Sequence, residues 1–226
     1  MVPSIQCSGN THISWKRHAG RPDRGEPICY VVTDIETDGP QPGAHSMRSF
    51  ASVAVDQDGK VFDQFEASLA ELDGASPNPP TLAWLKSEPG VWEDLNRDPR
   101  PPAEVMQRYA DWVRALPAEP VFTSHPLVFD GYWMDWYMRT FLGLRMDRGP
   151  YGGERLFFGA GLDLPSLVMG VTGWDYAHCL RQNYPDEWFG GHPHSHRAID
   201  DALGYASILI EMLRRLRLRR EALPIA

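Results

Sequence analysis

The sequence contains only three cysteines in 226 residues, Cys7, Cys29 and Cys179, and they are far apart. An odd number of cysteines without metal-ligand spacing argues against a disulfide framework and favours a reducing compartment. The chain also has no apolar run long enough to cross a membrane. Because the amino terminus does not read as a secretory signal, we expect a cytoplasmic location and no membrane partner.

Positive charge is also scarce, with 22 lysines and arginines against 30 acidic residues and a net charge of −8. This balance excludes a broadly basic surface, so binding to nucleic acid would require metal ions or a local basic patch. The one dense basic run is 214–220, near the end of the chain. It fits either the favourable charge of a solvated helix end or a patch that binds phosphate.

Residues 1–27 differ from the rest because they are polar and show no periodicity. We predict a disordered tail there, although its basic residues would also suit an arm that contacts nucleic acid. Residues 28–226 have ordinary globular composition and a length that suits one domain. We therefore predict a single folded domain after the tail.

Strand signals dominate the first part of this domain. A run of β-formers at 28–36 predicts a buried strand, and Ser49–Val55 and Val61–Glu66 predict two more. The hairpin signal Asp56–Gly59 separates the second strand from the third. Three consecutive strands with short connections predict an antiparallel meander.

Helical periodicity dominates the remainder. Thr81–Lys86 is a short helical piece, and a helix with one apolar face opens at Pro101 and Pro102. A short strand, a covering helix, a further strand-to-helix segment and a long last helix follow: Val121–Ser124, Phe129–Leu142, Leu162 to Val168, and His196 to about Arg220. Residues 173–195 read as irregular. Together these patterns predict an α/β domain.

Two carboxylates, Asp34 and Glu36, close the first strand. The period of two residues places both side chains on one face of the sheet. Like charges held together at the end of an apolar strand repel each other, and a divalent cation would relieve that repulsion. The alternative is a pair of solvated carboxylates at a turn, which Asp-x-Glu alone does not exclude.

Two later motifs decide between these alternatives. Phe129-Asp130 follows a predicted strand, and His196-x-Ala-x-x-Asp201 opens the last helix. The ordered set resembles the DnaQ-like 3′-5′ exonucleases of the DEDDh subclass, within the ribonuclease-H-like superfamily, over about residues 28–215. The chain departs from the family at 124–127, where Ser-His-Pro-Leu stands in place of a His-Asn pair.

The resemblance implies an α/β, ribonuclease-H-like fold, with a mixed five-stranded sheet whose first three strands are antiparallel, flanked by helices. It also implies two Mg²⁺ ions, with Mn²⁺ as a substitute, because hard cations take oxygen ligands. Two such metal ions together stabilise the attacking and leaving oxygens. Asp34 would bridge the ions, Glu36 and Asp201 would complete one site, and Asp130 would bind partly through water. His196 would be the general base. The motif favours Asp201 over Asp200 and Asp130 over Asp135.

The implied function is metal-dependent hydrolysis of single-stranded nucleic acid from a free 3′ end, releasing nucleoside 5′-monophosphates. RNA and DNA both stay open, because several kinds of contact can read a 2′-hydroxyl. The alternatives are a proofreading subunit held to a polymerase and a binding protein without catalysis. Relatives commonly dimerise, so a homodimer is a further partner to consider, although no residue pattern here indicates one.

Substrate contacts are predicted at six further positions. Thr37, Asp38 and Gly39 follow the first motif, where family members contact the terminal nucleotide, and Arg48 is a candidate for phosphate. Trp84 and Trp188 are candidates for stacking on bases. Zinc is an alternative reading of the histidine-rich loop: His178, Cys179, His192, His194 and His196.

Overall fold

A computed structural model describes residues 27–146 and 154–222. Five strands form one sheet: β1 Ile28–Thr37, β2 Met47–Asp56, β3 Val61–Ser68, β4 Glu119–Ser124 and β5 Leu162–Asp163. Their spatial order is β3-β2-β1-β4-β5, with β1 to β3 antiparallel and β4 and β5 parallel to β1. The predicted ribonuclease-H-like sheet is therefore confirmed, whereas the predicted tail lies almost wholly outside the described residues.

Six helices flank this sheet: α1 Pro79–Ser87, α2 Val91–Leu95, α3 Pro102–Ala115, α4 Leu127–Leu142, α5 Leu164–Thr172 and α6 Ala198–Ala222. Three single 3₁₀ turns lie within the irregular stretch 173–195. In the part of the chain that the structure describes, no helix is long and apolar enough to cross a membrane.

Two apolar clusters cover the two faces of the sheet. Helices α3 and α4 pack on one face, where Trp133, Tyr109 and Phe50 are fully buried. Helices α5 and α6 pack on the other, around Val53 and Leu209. Strand β2 contributes to both clusters, which explains why it is buried almost without alternation.

Both helices that carry later motifs begin at other residues than the sequence suggests. Helix α4 begins at Leu127, two residues before the predicted start, because the carboxylate of Asp163 accepts the Leu127 N–H at 3.0 Å. Helix α6 begins at Ala198 rather than near His196, because His196 has a backbone φ of 56° and cannot continue a helix. His196 therefore lies in the loop just before α6.

The end of β1 projects past its parallel neighbour. The last residue pair between β1 and β4 is Val32 with Thr123, whereas pairing of β1 with β2 continues through Glu36 and Ser49. The chain leaves β4 at Ser124 and enters α4 three residues later. Asp34 and Glu36 both lie in this projecting part of β1, beyond the last pair with β4.

Candidate metal-dependent active site

Three acidic side chains meet at the projecting end of β1. Carboxylate oxygens of Asp34, Glu36 and Asp201 all lie within 4.8 Å of one another. Strand β1 supplies the first two, and Asp201 lies in the first turn of α6, where the positive end of the helix dipole favours a negative charge. The carboxylates of the first and third motifs are thus brought together.

The fourth carboxylate, Asp130, lies in the first turn of α4 and is buried. Its Oδ2 atom has no hydrogen-bond partner, which is an unusual state for a buried oxygen. Burial raises the pKa of Asp130 to about 8. A side chain in this state is suited to a cation or to an ordered water that a cation holds.

Burial and mutual repulsion together raise the pKa of Asp34 and Glu36 as well. The pKa of Asp34 lies well above its usual range, first because of burial and then because of the charges of Asp130, Glu36 and Asp201. The pKa of Glu36 is raised for the same two reasons. A divalent ion would offset the repulsion, and an all-oxygen donor set suits Mg²⁺ or Mn²⁺. The residues present therefore fit the implied metal.

His196 lies beside this cluster, in the loop that leads into α6. Its ring packs edge-on against Trp84, with centroids 4.8 Å apart, and against His194, with centroids 4.2 Å apart. Burial and the neighbouring imidazole lower the pKa of His196, against an opposing effect of Asp201. The ring is consequently neutral at pH 7, the form that accepts a proton.

One contact in the site could not be read from the three motifs. Nδ1 of His194 donates to Oδ1 of Asp201 at 2.7 Å, and nitrogen or oxygen atoms of His194, His196 and Asp201 all lie within 4.8 Å of one another. The alternation His-x-His was the only signal in the sequence. It predicted metal binding without indicating which carboxylate would join.

A polar network fixes the loop that carries both histidines. The Ser195 hydroxyl donates to Asp200 at 2.6 Å and accepts the Arg197 N–H at 3.3 Å. The Arg197 guanidinium then reaches α2, where its Nε lies 2.6 Å from a carboxylate oxygen of Asp94. Asp200 is therefore engaged in the loop, away from Asp34 and Glu36.

The other alternative carboxylate, Asp135, is also engaged elsewhere. It accepts the Met146 N–H at 2.9 Å and pairs with Arg139 at 2.6 Å, one turn along α4. Both contacts tie α4 to the segment that follows it. Asp135 thus has a structural explanation that does not involve the carboxylate cluster.

The predicted contact between Arg48 and phosphate is wrong. Arg48 is only 3% exposed, and its guanidinium binds Glu71 at 2.9 Å and Asn96 at 3.1 Å inside the fold. Its second acidic neighbour is Asp38, at 3.8 Å. The position follows from β2, which is covered on both faces, so the side chain has no route to solvent.

The turn after β1 is held closed by its own hydrogen bonds. Buried Asp38 accepts the Ser46 N–H at 2.7 Å, and its carbonyl accepts the Asn78 N–H at 2.8 Å. The Thr37 hydroxyl donates to the Gly39 carbonyl at 3.0 Å. The structure brings this turn to the end of β1, next to Glu36, and a nucleotide contact there stays a prediction.

The two predicted stacking residues differ completely in environment. Trp84 is 38% exposed and borders His196, so a ring face beside the site is accessible. Trp188 is only 4% exposed, stacks on Trp174 and is covered by Arg215. The prediction that Trp188 stacks on substrate is wrong, because the irregular segment that carries it folds onto α6.

The histidine-rich loop does not gather all the residues of the zinc alternative. Among the described residues, His178, Cys179 and His192 join neither group of candidate metal ligands. Cys179 is buried, and its thiol donates to a carbonyl of the same 3₁₀ turn. Only His194 and His196 of the original five lie together with a carboxylate.

Comparisons with known proteins agree with this geometry. No family model matches the chain. A 3′-5′ DNA exonuclease of Escherichia coli, Cap18, is 26% identical over 152 residues, which are 66% of this chain and 72% of Cap18. The resemblance to the DnaQ-like family is thereby confirmed.

Solved structures share the fold at lower identity. The nuclease domain of 3′hExo, a DEDDh family member bound to rAMP, matches with a TM-score of 0.59 and 12% identity over 84% of this chain and 92% of that domain. The zinc-bound complex of E. coli exonuclease I with single-stranded DNA matches with a TM-score of 0.56 and 18% identity. That match covers 86% of this chain but only 41% of exonuclease I.

Proposed function

We propose that the protein is a metal-dependent 3′-5′ exonuclease that releases nucleoside 5′-monophosphates from single-stranded nucleic acid. The observation that carries this proposal is the meeting of Asp34, Glu36 and Asp201 at the end of β1. A buried, unpartnered oxygen of Asp130 and a neutral His196 beside the cluster add to it. Similarity to Cap18 supports the same reaction and direction.

Two Mg²⁺ ions would be held by Asp34, Glu36, Asp201 and Asp130, with Mn²⁺ as a substitute. When bound, they would supply charge stabilisation for the attacking and leaving oxygens and would lower the pKa of the attacking water. His196 takes the proton of that water on a ring nitrogen. Its lowered pKa keeps the nitrogen unprotonated at pH 7.

We infer a single-stranded substrate from the aromatic ring beside the site, because an unpaired base can stack on it. Trp84 presents an accessible ring next to His196, where it can stack on the last base and exclude water from the reacting phosphate. The turn Thr37–Gly39 follows Glu36 along the chain, and we keep it as the second predicted contact with the terminal nucleotide. These contacts position the 3′ end while the carboxylates hold the cations.

DNA is the substrate that we favour over RNA. The relative with 26% identity is named as a DNA exonuclease, whereas the neighbour bound to rAMP is 12% identical. Catalysis by this chain also accounts for its four clustered carboxylates. A binding protein without catalysis would keep the unfavourable repulsion between these carboxylates without any function that requires it.

A digestion assay with 5′-labelled single strands of DNA and RNA tests the proposal. With Mg²⁺ or Mn²⁺ we expect a ladder that shortens from the 3′ end on DNA, and with EDTA no cleavage. Asp34→Asn should lower the rate by about 100-fold or more, a loss of at least ~2.7 kcal/mol of transition-state stabilisation. The matched control is Asp58→Asn, since Asp58 is 92% exposed in a turn far from the cluster.

Two results would contradict the proposal. The first is an Asp34→Asn protein that folds and digests at the wild-type rate. The second is a wild-type protein that leaves both strands intact in every metal, which would favour a binding protein without catalysis. A ladder on RNA alone would retain the reaction and reverse our choice of substrate.

A further inference from the structure

Two candidate metal sites of different chemistry share one carboxylate. Asp34, Glu36 and Asp201 offer only oxygen, whereas His194, His196 and Asp201 offer two imidazole nitrogens and one oxygen. Hard Mg²⁺ prefers the first set, while imidazole ligands suit Zn²⁺ and other late transition metals. Because Asp201 belongs to both sets, the two sites compete for it.

The geometry of the second set is close to that of a zinc site. Zinc binds histidine nitrogen at about 2.0–2.1 Å and carboxylate oxygen at about 2.0–2.2 Å, with tetrahedral ligands therefore about 3.4 Å apart. Nδ1 of His194 and Oδ1 of Asp201 are 2.7 Å apart and share a proton, which a metal ion would replace. The remaining ligand distances are at most 4.8 Å, so a small movement of the loop completes three ligands.

The fold holds these ligands near one another without metal. The Ser195 hydroxyl, between the two histidines, is bound to Asp200, and Arg197 is bound to Asp94. These bonds anchor the loop on both sides of His196. A third protein ligand arrives from the buried first turn of α6, so the fourth position is left for water, as in an open zinc site.

We propose that His194, His196 and Asp201 form an inhibitory binding site for Zn²⁺. A zinc ion there would occupy the ring nitrogen of His196 and an oxygen of Asp201. The proposal rests on the proposed function, because inhibition requires that His196 and Asp201 serve the Mg²⁺-dependent reaction. Binding itself requires only the three ligands.

The first test is calorimetry of Zn²⁺ binding to the full chain in excess Mg²⁺. We expect one Zn²⁺ per chain for the wild type, at least tenfold weaker binding for His194→Gln, and unchanged binding for His178→Gln. His178 is the matched control because it is exposed and lies outside the cluster. Glu36→Gln, which damages only the all-oxygen set, should keep the Zn²⁺ site.

The second test measures DNA digestion in Mg²⁺ with increasing Zn²⁺, each rate being divided by the same variant's rate in Mg²⁺ alone. We expect at least tenfold inhibition of the wild type and of His178→Gln, and less than twofold inhibition of His194→Gln. A wild type that digests DNA in Mg²⁺ but resists Zn²⁺ overturns this inference and leaves the proposed function intact. A His194→Gln protein that binds Zn²⁺ as tightly as the wild type also overturns the inference. A wild-type protein that does not digest DNA contradicts the proposed function, and calorimetry then still decides whether the Zn²⁺ site exists.

Discussion

The guanidinium of Arg197 and the carboxylate of Asp94 join the start of α6 to α2 at 2.6 Å. The two residues are 103 positions apart, so this contact is a tertiary link rather than a local one. Arg197 directly follows His196, whose positive φ must be held by its neighbours. The ion pair therefore contributes to the position of the proposed general base.

Replacing Arg197 by alanine should affect stability slightly and activity more. Arg197 is partly exposed, so we expect a coupling energy with Asp94 of about 1 kcal/mol in a double-mutant cycle with Asp94→Asn. Digestion of DNA should slow several-fold because His196 loses an anchor. Urea unfolding measures the change in stability, and the rate of DNA digestion measures the change in activity. Arg114→Ala is the control because it breaks an exposed ion pair with Glu154. Additive effects of the two single variants on stability would contradict the coupling of Arg197 with Asp94.

Asp130→Asn should change how stability depends on pH without metal. The pKa of Asp130 is about 8 in the folded protein, above its value of about 3.9 in the unfolded chain. The contribution of this carboxyl to folding stability is therefore full below about pH 4 and is lost as the pH rises through 8. Asparagine cannot ionise and avoids this loss. In EDTA, the variant should gain on the wild type by on the order of 4 kcal/mol between about pH 5 and pH 8.

Urea unfolding at the two pH values measures this difference, and Asp135→Asn is the control because its carboxylate lies outside the cluster. Saturating Mg²⁺ should remove most of the advantage, since the cation favours the ionised wild-type carboxylate. A variant whose advantage is the same at both pH values would show that Asp130 ionises normally in the fold.

The two tryptophans should separate stability from substrate binding. Trp188→Ala removes a buried ring that stacks on Trp174 at 5.3 Å, so unfolding should become easier by about 3–5 kcal/mol. Trp84→Ala removes an exposed ring, so the stability loss should be under about 1 kcal/mol while KM for DNA rises. Thermal melting and steady-state kinetics test both, and an unchanged KM in Trp84→Ala would contradict stacking.

Gly39→Ala should strain the turn after β1. A Cβ atom at Gly39 would lie 2.0 Å from the ring of His45, so the imidazole has to leave its contact with the Gln41 carbonyl. We expect a loss of about 1–2 kcal/mol. The double variant Gly39→Ala/His45→Ala should regain most of the lost free energy of unfolding, as measured by chemical denaturation. Equal losses in the single and double variants would exclude the clash.

The strands and the carboxylates could be predicted from the sequence because both depend on short-range patterns along the chain. Periodicity located β1 to β3, and spacing within the motifs identified Asp34, Glu36 and Asp201, which the fold then gathers. Arg48 and Trp188 were misjudged because their burial depends on distant segments, which a single sequence does not order in space.

Two further features depend on contacts between remote residues. Asp163 accepts the first N–H of α4 from 36 positions away, which no helix signal at Leu127 could show. The contact of His194 with Asp201 forms across the loop in which His196 has a positive φ, an uncommon conformation for a residue other than glycine. Such details follow from tertiary structure.

Because β1 and β4 separate after Val32 and Thr123, the tip of β1 is bound to the sheet along one side only. We therefore expect the backbone that carries its carboxylates to adjust more easily than the part of the strand that is paired on both sides. Substitutions at Asp34 or Glu36 can change the chemistry while the apolar layers stay intact. One strand thus serves two purposes, since its doubly paired part holds the apolar layers together and its singly paired end presents the proposed metal ligands.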